Sequence, residues 1–224
     1  MINIFSKHSS QIRAFRPVFL ASAILAPLML SACVSVLPEA KDAPIVYRLK
    51  VPSVTAQDLS DKITANTTVV NIEFPQSPRA FSGTDIILSP DGRRLTAAAG
   101  ASWAEPVPSQ IRSALIDTLA QNRKITGVIP KGGTRVPYRL NMEIRRFEAV
   151  FDNGEDQAPN AFVHINLSLT DTQSRALVGA HSISTNVRAQ AVSVSAIVAA
   201  QDKATQQAMS DIDIWLTKMI RKYG

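Results

Sequence analysis

From Pro44 onward, apolar and polar positions alternate with periods that change along the chain and so mark its elements. Ile45, Tyr47, Leu49 and Val51 alternate with Val46, Arg48 and Lys50, which predicts a strand with one apolar face. A polar stretch at 55–63 reads as a short helix. Thr68, Val70, Ile72 and Phe74 then repeat the two-residue period until Pro75 and Pro78 impose a loop. Asp85 to Ser89 and Arg94 to Ala98 flank Pro90-Asp91-Gly92, where proline presets φ and glycine tolerates φ > 0. A β-hairpin is expected there. Pro106 and Pro108 suit a helix entrance, and Ile111, Leu115 and Leu119, with Ala114 alongside, stripe a helix from about Pro108 to Asn122. Gly127 and Lys131-Gly132-Gly133 break the chain before a long strand.

That strand changes phase. Tyr138, Leu140, Met142 and Ile144 are even-numbered, whereas Phe147, Ala149 and Phe151 are odd. A β-bulge at Arg145-Arg146 produces such a shift, as would two separate short strands. Asp152-Asn153-Gly154 turns the chain. Ala161, Val163, Ile165, Leu167 and Leu169 form the cleanest alternation, followed by Leu177, Gly179, His181, Ile183, Thr185 and Val187. Pairing Asp171 with Arg175 would leave a Thr172-Gln173-Ser174 loop and bring both odd faces together, as a shared buried face requires. A last helix runs from near Ser193 to Lys222, with Ile197, Ala200, Ala204, Ala208, Ile212, Trp215 and Met219 on one stripe. The expected fold is α/β of the α+β type. A mixed, mostly antiparallel sheet of about five to seven strands packs against two long helices in a single domain.

The first 33 residues follow a different pattern. Lys7, Arg13 and Arg16 form a basic segment without acidic residues, and Pro17 to Leu30 form an apolar run interrupted at Pro27. That run is shorter than the ~20 residues needed to cross a hydrocarbon core. Basic, apolar, then small residues is the layout of a secretory signal peptide. The closing Leu30-Ser31-Ala32-Cys33 resembles the lipobox of bacterial lipoproteins, in which cleavage precedes the cysteine and the thiol is lipidated. The resemblance assigns Leu30, Ser31 and Ala32 to signal-peptidase recognition and Cys33 to acylation, including palmitate. Acyl chains contribute ~0.8 kcal/mol per buried methylene, so several on one residue anchor it firmly. Val34 stands where inner-membrane lipoproteins of proteobacteria typically carry aspartate, which points to the inner leaflet of the outer membrane, with the domain in the periplasm.

The expected organisation is therefore a signal peptide at 1–32, a lipidated N-terminus and linker at 33–43, and a periplasmic domain at 44–224. The linker residues Val34 to Ala43 reach at most about 35 Å when extended. Three of the 24 Lys and Arg residues precede Cys33, leaving 21 against 18 acidic ones, a charge of +3. Such a near-neutral domain gives little reason to expect nucleic acid. Cys33 is the only cysteine, so no disulfide supports the fold.

No GxSxG, GxGxxG, Walker loop or HExxH occurs. His164 and His181 lie on neighbouring strands, but the register above pairs His164 with Ser182 and His181 with Ile165. The two imidazoles then face opposite sides and cannot share a metal ion. Asp152, Glu155 and Asp156 lack the spacing of a calcium loop and read as a solvated turn. Arg123, Lys124, Lys131, Arg135 and Arg139 read as a solvated edge, or as a basic patch for anionic lipid or a partner. Trp103, just before the first long helix, reads as a core anchor. With no catalytic set and no cofactor or metal site, the chain reads as a non-enzymatic adaptor.

The lipobox at Cys33, Tyr47-Arg48-Leu49, Trp103-Ala104-Glu105, Tyr138-Arg139-Leu140, Arg146-Phe147 and the alanine-rich last helix occur in an order that resembles the ABC-type transport auxiliary lipoproteins. That group includes PqiC, and its members are partners of MCE-domain lipid-transport systems. The resemblance implies an accessory component that tethers or docks an MCE-domain protein of an ABC-type transporter at the outer membrane, self-associating as a homo-oligomer around it. Two other classes stay open: a lipoprotein that activates a cell-wall synthase or another envelope enzyme, and a periplasmic hydrolase without a familiar motif.

Overall fold

The computed structural model describes residues 43–50, 67–122, 124–131 and 135–223. Eight strands and two long helices make a mixed α/β domain: β1 (Ile45–Tyr47), β2 (Thr68–Ile72), β3 (Asp85–Ser89), β4 (Thr96–Trp103), α1 (Val107–Leu119), β5 (Ile125–Val128), β6 (Tyr138–Val150), β7 (Asn160–Asp171), β8 (Leu177–Arg188) and α2 (Val194–Tyr223). Antiparallel pairing dominates by length, through the long strands β6, β7 and β8. One edge of β6 carries β7 along its whole length. Its other edge is shared, with β2 beside its beginning and β3 beside its end, both parallel to it. β5 extends the sheet beyond β2, and β4 then β1 extend it beyond β3. The expected signal-peptide and linker residues, Val51 and the helix expected at 55–63 lie outside the described residues.

The phase change in β6 is a bulge within one continuous strand: the register with β7 slips between Ile144 and Arg146. The extra residue moves the apolar set from even to odd numbers while keeping it on one face. On that face Leu140, Ile144, Val163, Ile165 and Leu169 have no solvent exposure. α2 lies over them. Ala204, Ala208, Ile212 and Leu216 are buried in the same core as Ile165, Leu167 and Ile183. Thr185 Oγ1 donates to the Ala204 carbonyl at 2.8 Å, which is close enough to need a helix stripe of alanines.

Three local expectations need correction. The β7–β8 register is shifted by two residues: His181 opposes Leu167 and His164 opposes Ser184, where Ile165 and Ser182 had been expected. Asp171 accepts the N–H groups of Gln173 and Ser174, and Arg175 takes φ 59°, so the turn is longer than three residues. A slip between Leu169 and Thr170 then restores odd against odd, leaving the face assignment intact. Second, Ile45 and Phe74 are exposed, at 61% and 55%, although their periodicity matched apolar faces. β1 is a three-residue edge strand, and Phe74 lies beyond the end of β2. Third, β5 brings the strand number to eight. Gly127 had read as a break, yet it is a tight packing point: a Cβ there would lie 3.1 Å from both Ile72 and Leu119 side-chain atoms.

Candidate functional site

Cys33, Leu30, Ser31 and Ala32, the expected acylation and cleavage residues, lie outside the described residues. The structure does show how the chain that follows them joins the domain. β1 pairs in parallel with β4, Ile45 against Ala101 and Tyr47 against Trp103. Beyond β1 the chain enters the seam between the helices. Leu49, 4% exposed, donates its N–H to Gln110 Oε1 on α1 at 2.9 Å. Lys50 donates its N–H to Asp202 Oδ1 on α2, and its carbonyl accepts from Gln206 Nε2, both at 2.9 Å. Burial raises the Asp202 pKa, against the opposing pull of the Lys50 N–H. Alternation alone gave no sign of this clamp, because Gln110, Asp202 and Gln206 sit among polar helix positions. The buried glutamine on α1 was the residue that sequence reasoning missed.

Trp103 is a core anchor, 3% exposed, with its ring edge-on to Phe147 at 5.9 Å between centroids. The helices leave a groove of about 300 Å³ lined by Ala114 and Thr118 on α1, Met209 and Asp213 on α2, and Lys50. Asn122 closes one side of it through hydrogen bonds to Asp213 and Thr217.

The two histidines do face opposite sides. His181 stacks on Trp215 on the helix side, with ring centroids 5.7 Å apart and planes 16° from parallel. On the open side, His164 Nε2 lies 2.9 Å from Ser182 Oγ, which donates to Asn166 Oδ1 at 2.9 Å. The Ser182 proton therefore points away from the imidazole, so His164 Nε2 is the donor. That is the reverse of the arrangement in which a histidine activates a serine nucleophile. Asn166 in turn reaches Glu143, which pairs with Arg145 at 2.6 Å. Beside this network Glu148, only 5% exposed, pairs with Arg146 at 2.6 Å, and the Arg146 guanidinium lies 4.3 Å over the Phe162 ring.

No group of three or more potential metal ligands occurs among the described residues. In the acidic turn, Asp152 is engaged by Arg188 through Nη2 to Oδ2 at 2.7 Å, and that hydrogen bond lowers its pKa. The basic candidates divide. Arg135 and Arg139 line one recess at the end of the sheet, with Asn71, Thr172 and Gln173. Arg139 pairs with Glu73 at 3.0 Å. Lys124 begins β5 at the same end, and Arg123 lies outside the described residues.

The match to known families spans the domain. The family model of the ABC-type transport auxiliary lipoprotein component matches residues 34–213. The chain belongs to this family. Two solved structures share its fold. One is a Xanthomonas campestris protein assigned to family DUF330, 19% identical, with a TM-score of 0.66, covering 79% of this chain and 97% of that one. The other is described only as an uncharacterized protein, 14% identical, with a TM-score of 0.61, covering 78% of this chain and 99% of that one. No curated protein matches. The family is one of transport auxiliary lipoproteins and not a known enzyme family; membership implies a membrane-anchored periplasmic domain and a transporter partner.

Proposed function

We propose that this auxiliary lipoprotein is acylated at Cys33 and anchored in the inner leaflet of the outer membrane, where it tethers or docks the MCE-domain component of an ABC-type lipid-transport system. Residues 1–32 are the signal peptide in this reading, 33–43 the lipidated N-terminus and linker, and 44–224 the periplasmic domain. The observation that carries it is the family match beginning at Val34, immediately after Leu30-Ser31-Ala32-Cys33. Val34 also favours the outer membrane over the inner.

The domain is suited to holding a partner in place. Its linker is attached at β1 and the Leu49–Lys50 clamp, so a pull on the anchor is received by β4, α1 and α2 together. The Ser182–His164 geometry supports binding over turnover. Cross-linking in cells followed by identification of the attached proteins tests the proposal. Recovery of the MCE-domain protein is expected. Recovery of a cell-wall synthase in its place would overturn the transport reading in favour of enzyme activation.

A further inference from the structure

The two ends of the sheet differ in charge, and the topology distinguishes them relative to the N-terminal linker. β6 and β8 begin, and β7 ends, at one end. α2 finishes there too, where Tyr138 Oη donates to the Tyr223 carbonyl. β3 runs parallel to β6 and antiparallel to β4, so the β3–β4 turn lies at the opposite end. β1 is parallel to β4, and the chain leading into Ile45 therefore comes from the side of that turn.

At the α2-terminal end, Lys124, Arg135, Arg175, Lys218, Arg221 and Lys222 are all exposed, and none has an ion pair among the described residues. The carboxylates nearby are already engaged: Glu73 by Arg139, Asp171 by the N–H groups of its own turn, and Asp213 by Asn122. Leu177 and Tyr223, exposed at 64% and 53%, lie at the same end. The end nearer the linker is balanced. Asp91 pairs with Arg94, Asp152 pairs with Arg188, and Glu155 and Asp156 offset Arg93.

We propose that the basic end is the docking face for an acidic segment of a protein partner, presented away from the membrane; this rests on the tethering function proposed above. Unpaired cations on fixed strand and helix ends attract and orient an acidic surface, and exposed Leu177 and Tyr223 supply apolar contact beside them. A bilayer is the weaker match, because the linker reaches the fold from the opposite end.

The test uses the purified chain from Val34, the periplasmic region of the MCE-domain protein and phosphatidylglycerol vesicles. Arg135→Glu, Arg175→Glu and Arg221→Glu are combined, with the three Gln substitutions as a milder set and Arg93→Glu as the control at the opposite end. Wild-type affinity for the MCE region should fall at least about tenfold between low and moderate salt. The triple Glu variant should bind about a hundredfold more weakly, the Gln variant should lie between, and Arg93→Glu should match wild type. Unchanged binding by both triple variants overturns the proposal, as does binding confined to the vesicles. If wild type fails to bind the MCE region, the transport reading falls and the basic end is decided in cells. There the lipidated triple variants should fail to restore a deletion strain while Arg93→Glu succeeds; full rescue by the triple variants overturns the inference.

Discussion

The N–H of Leu49 donates to Gln110 Oε1 at 2.9 Å, joining positions 61 residues apart and fixing the chain just after its first strand. Gln110 is itself 5% exposed and donates from Nε2 to the Glu105 carbonyl at 2.9 Å, so both ends of its amide are engaged. Gln110→Leu keeps the bulk but leaves a buried N–H and a carbonyl without that partner. A loss of about 1–3 kcal/mol is expected from urea unfolding, with faster amide exchange at Leu49. Stability within about 0.5 kcal/mol of wild type would show that the clamp contributes nothing.

Leu167 tests the packing of α2 on the sheet. It is 3% exposed, between Met142 on β6 and His181 on β8, in the core shared with Ala204, Ala208 and Ile212. Leu167→Ala should cost about 2–5 kcal/mol, combining lost burial with the cavity left behind. The midpoint of chemical unfolding reads it directly, and a change below about 0.5 kcal/mol would place this face in solvent.

How far the fold was legible follows from which forces act locally. β6, β7, β8 and α2 were readable because each buries one full face, so burial imposes a period on twelve or more consecutive residues. The bulge was readable for the same reason, since the apolar set changed parity at Arg145-Arg146. β5 was not: four residues carry too little periodicity, and Gly127 is required by its neighbours, not by a turn. The β7–β8 register was two residues out because the turn is set by the Asp171 carboxylate and the positive φ of Arg175, which alternation does not report. Of the candidate site, the lipobox could be read from sequence alone. The Leu49–Gln110 clamp and the gathering of Arg135, Arg175 and Arg221 at one end depend on tertiary contacts and sheet order.

Gly127→Ala should destabilise although alanine ordinarily favours ordered structure over glycine. Its Cβ would meet Ile72 Cγ1 and Leu119 Cδ1 at 3.1 Å, and both residues are fully buried. Neither can move into open space, so a cost of about 1–3 kcal/mol from overpacking is expected. A thermal midpoint equal to or above wild type would mean that the α1–β5 contact yields freely.

Acid should weaken the fold through its turns. The Arg94 and Arg93 N–H groups hold the Asp91 pKa down at about 2, while the Arg188 hydrogen bond lowers that of Asp152 and the Ser174 N–H lowers that of Asp171. Each carboxylate binds its proton less readily folded than unfolded, so its contribution is full above the ordinary carboxylate range and disappears as pH falls through the folded value. Asp202 opposes this, since its raised pKa favours the folded protein as the pH drops. With three lowered groups against one raised, the thermal midpoint should fall between about pH 4 and pH 2. Asp91→Asn should flatten part of that slope. A midpoint constant across the interval in wild type would contradict these assignments.

Cys33 decides whether anchoring is part of the function. It is the only cysteine in the chain and follows Leu30-Ser31-Ala32 directly. Cys33→Ser should leave an uncleaved precursor that incorporates no labelled fatty acid; normal labelling would rule out this site. A soluble form directed to the periplasm by a cleavable signal should still bind the MCE-domain protein but fail to restore envelope integrity in a deletion strain. The reason is concentration: an anchor confines the docking surface to within a linker's reach of one membrane, whereas the free form samples the whole compartment. Inserting a few flexible residues after Val34 should be tolerated better, because mean reach grows only as the square root of linker length. Full rescue by the unanchored form, at a level equal to the lipidated protein, would show that binding alone suffices and that the tether is dispensable.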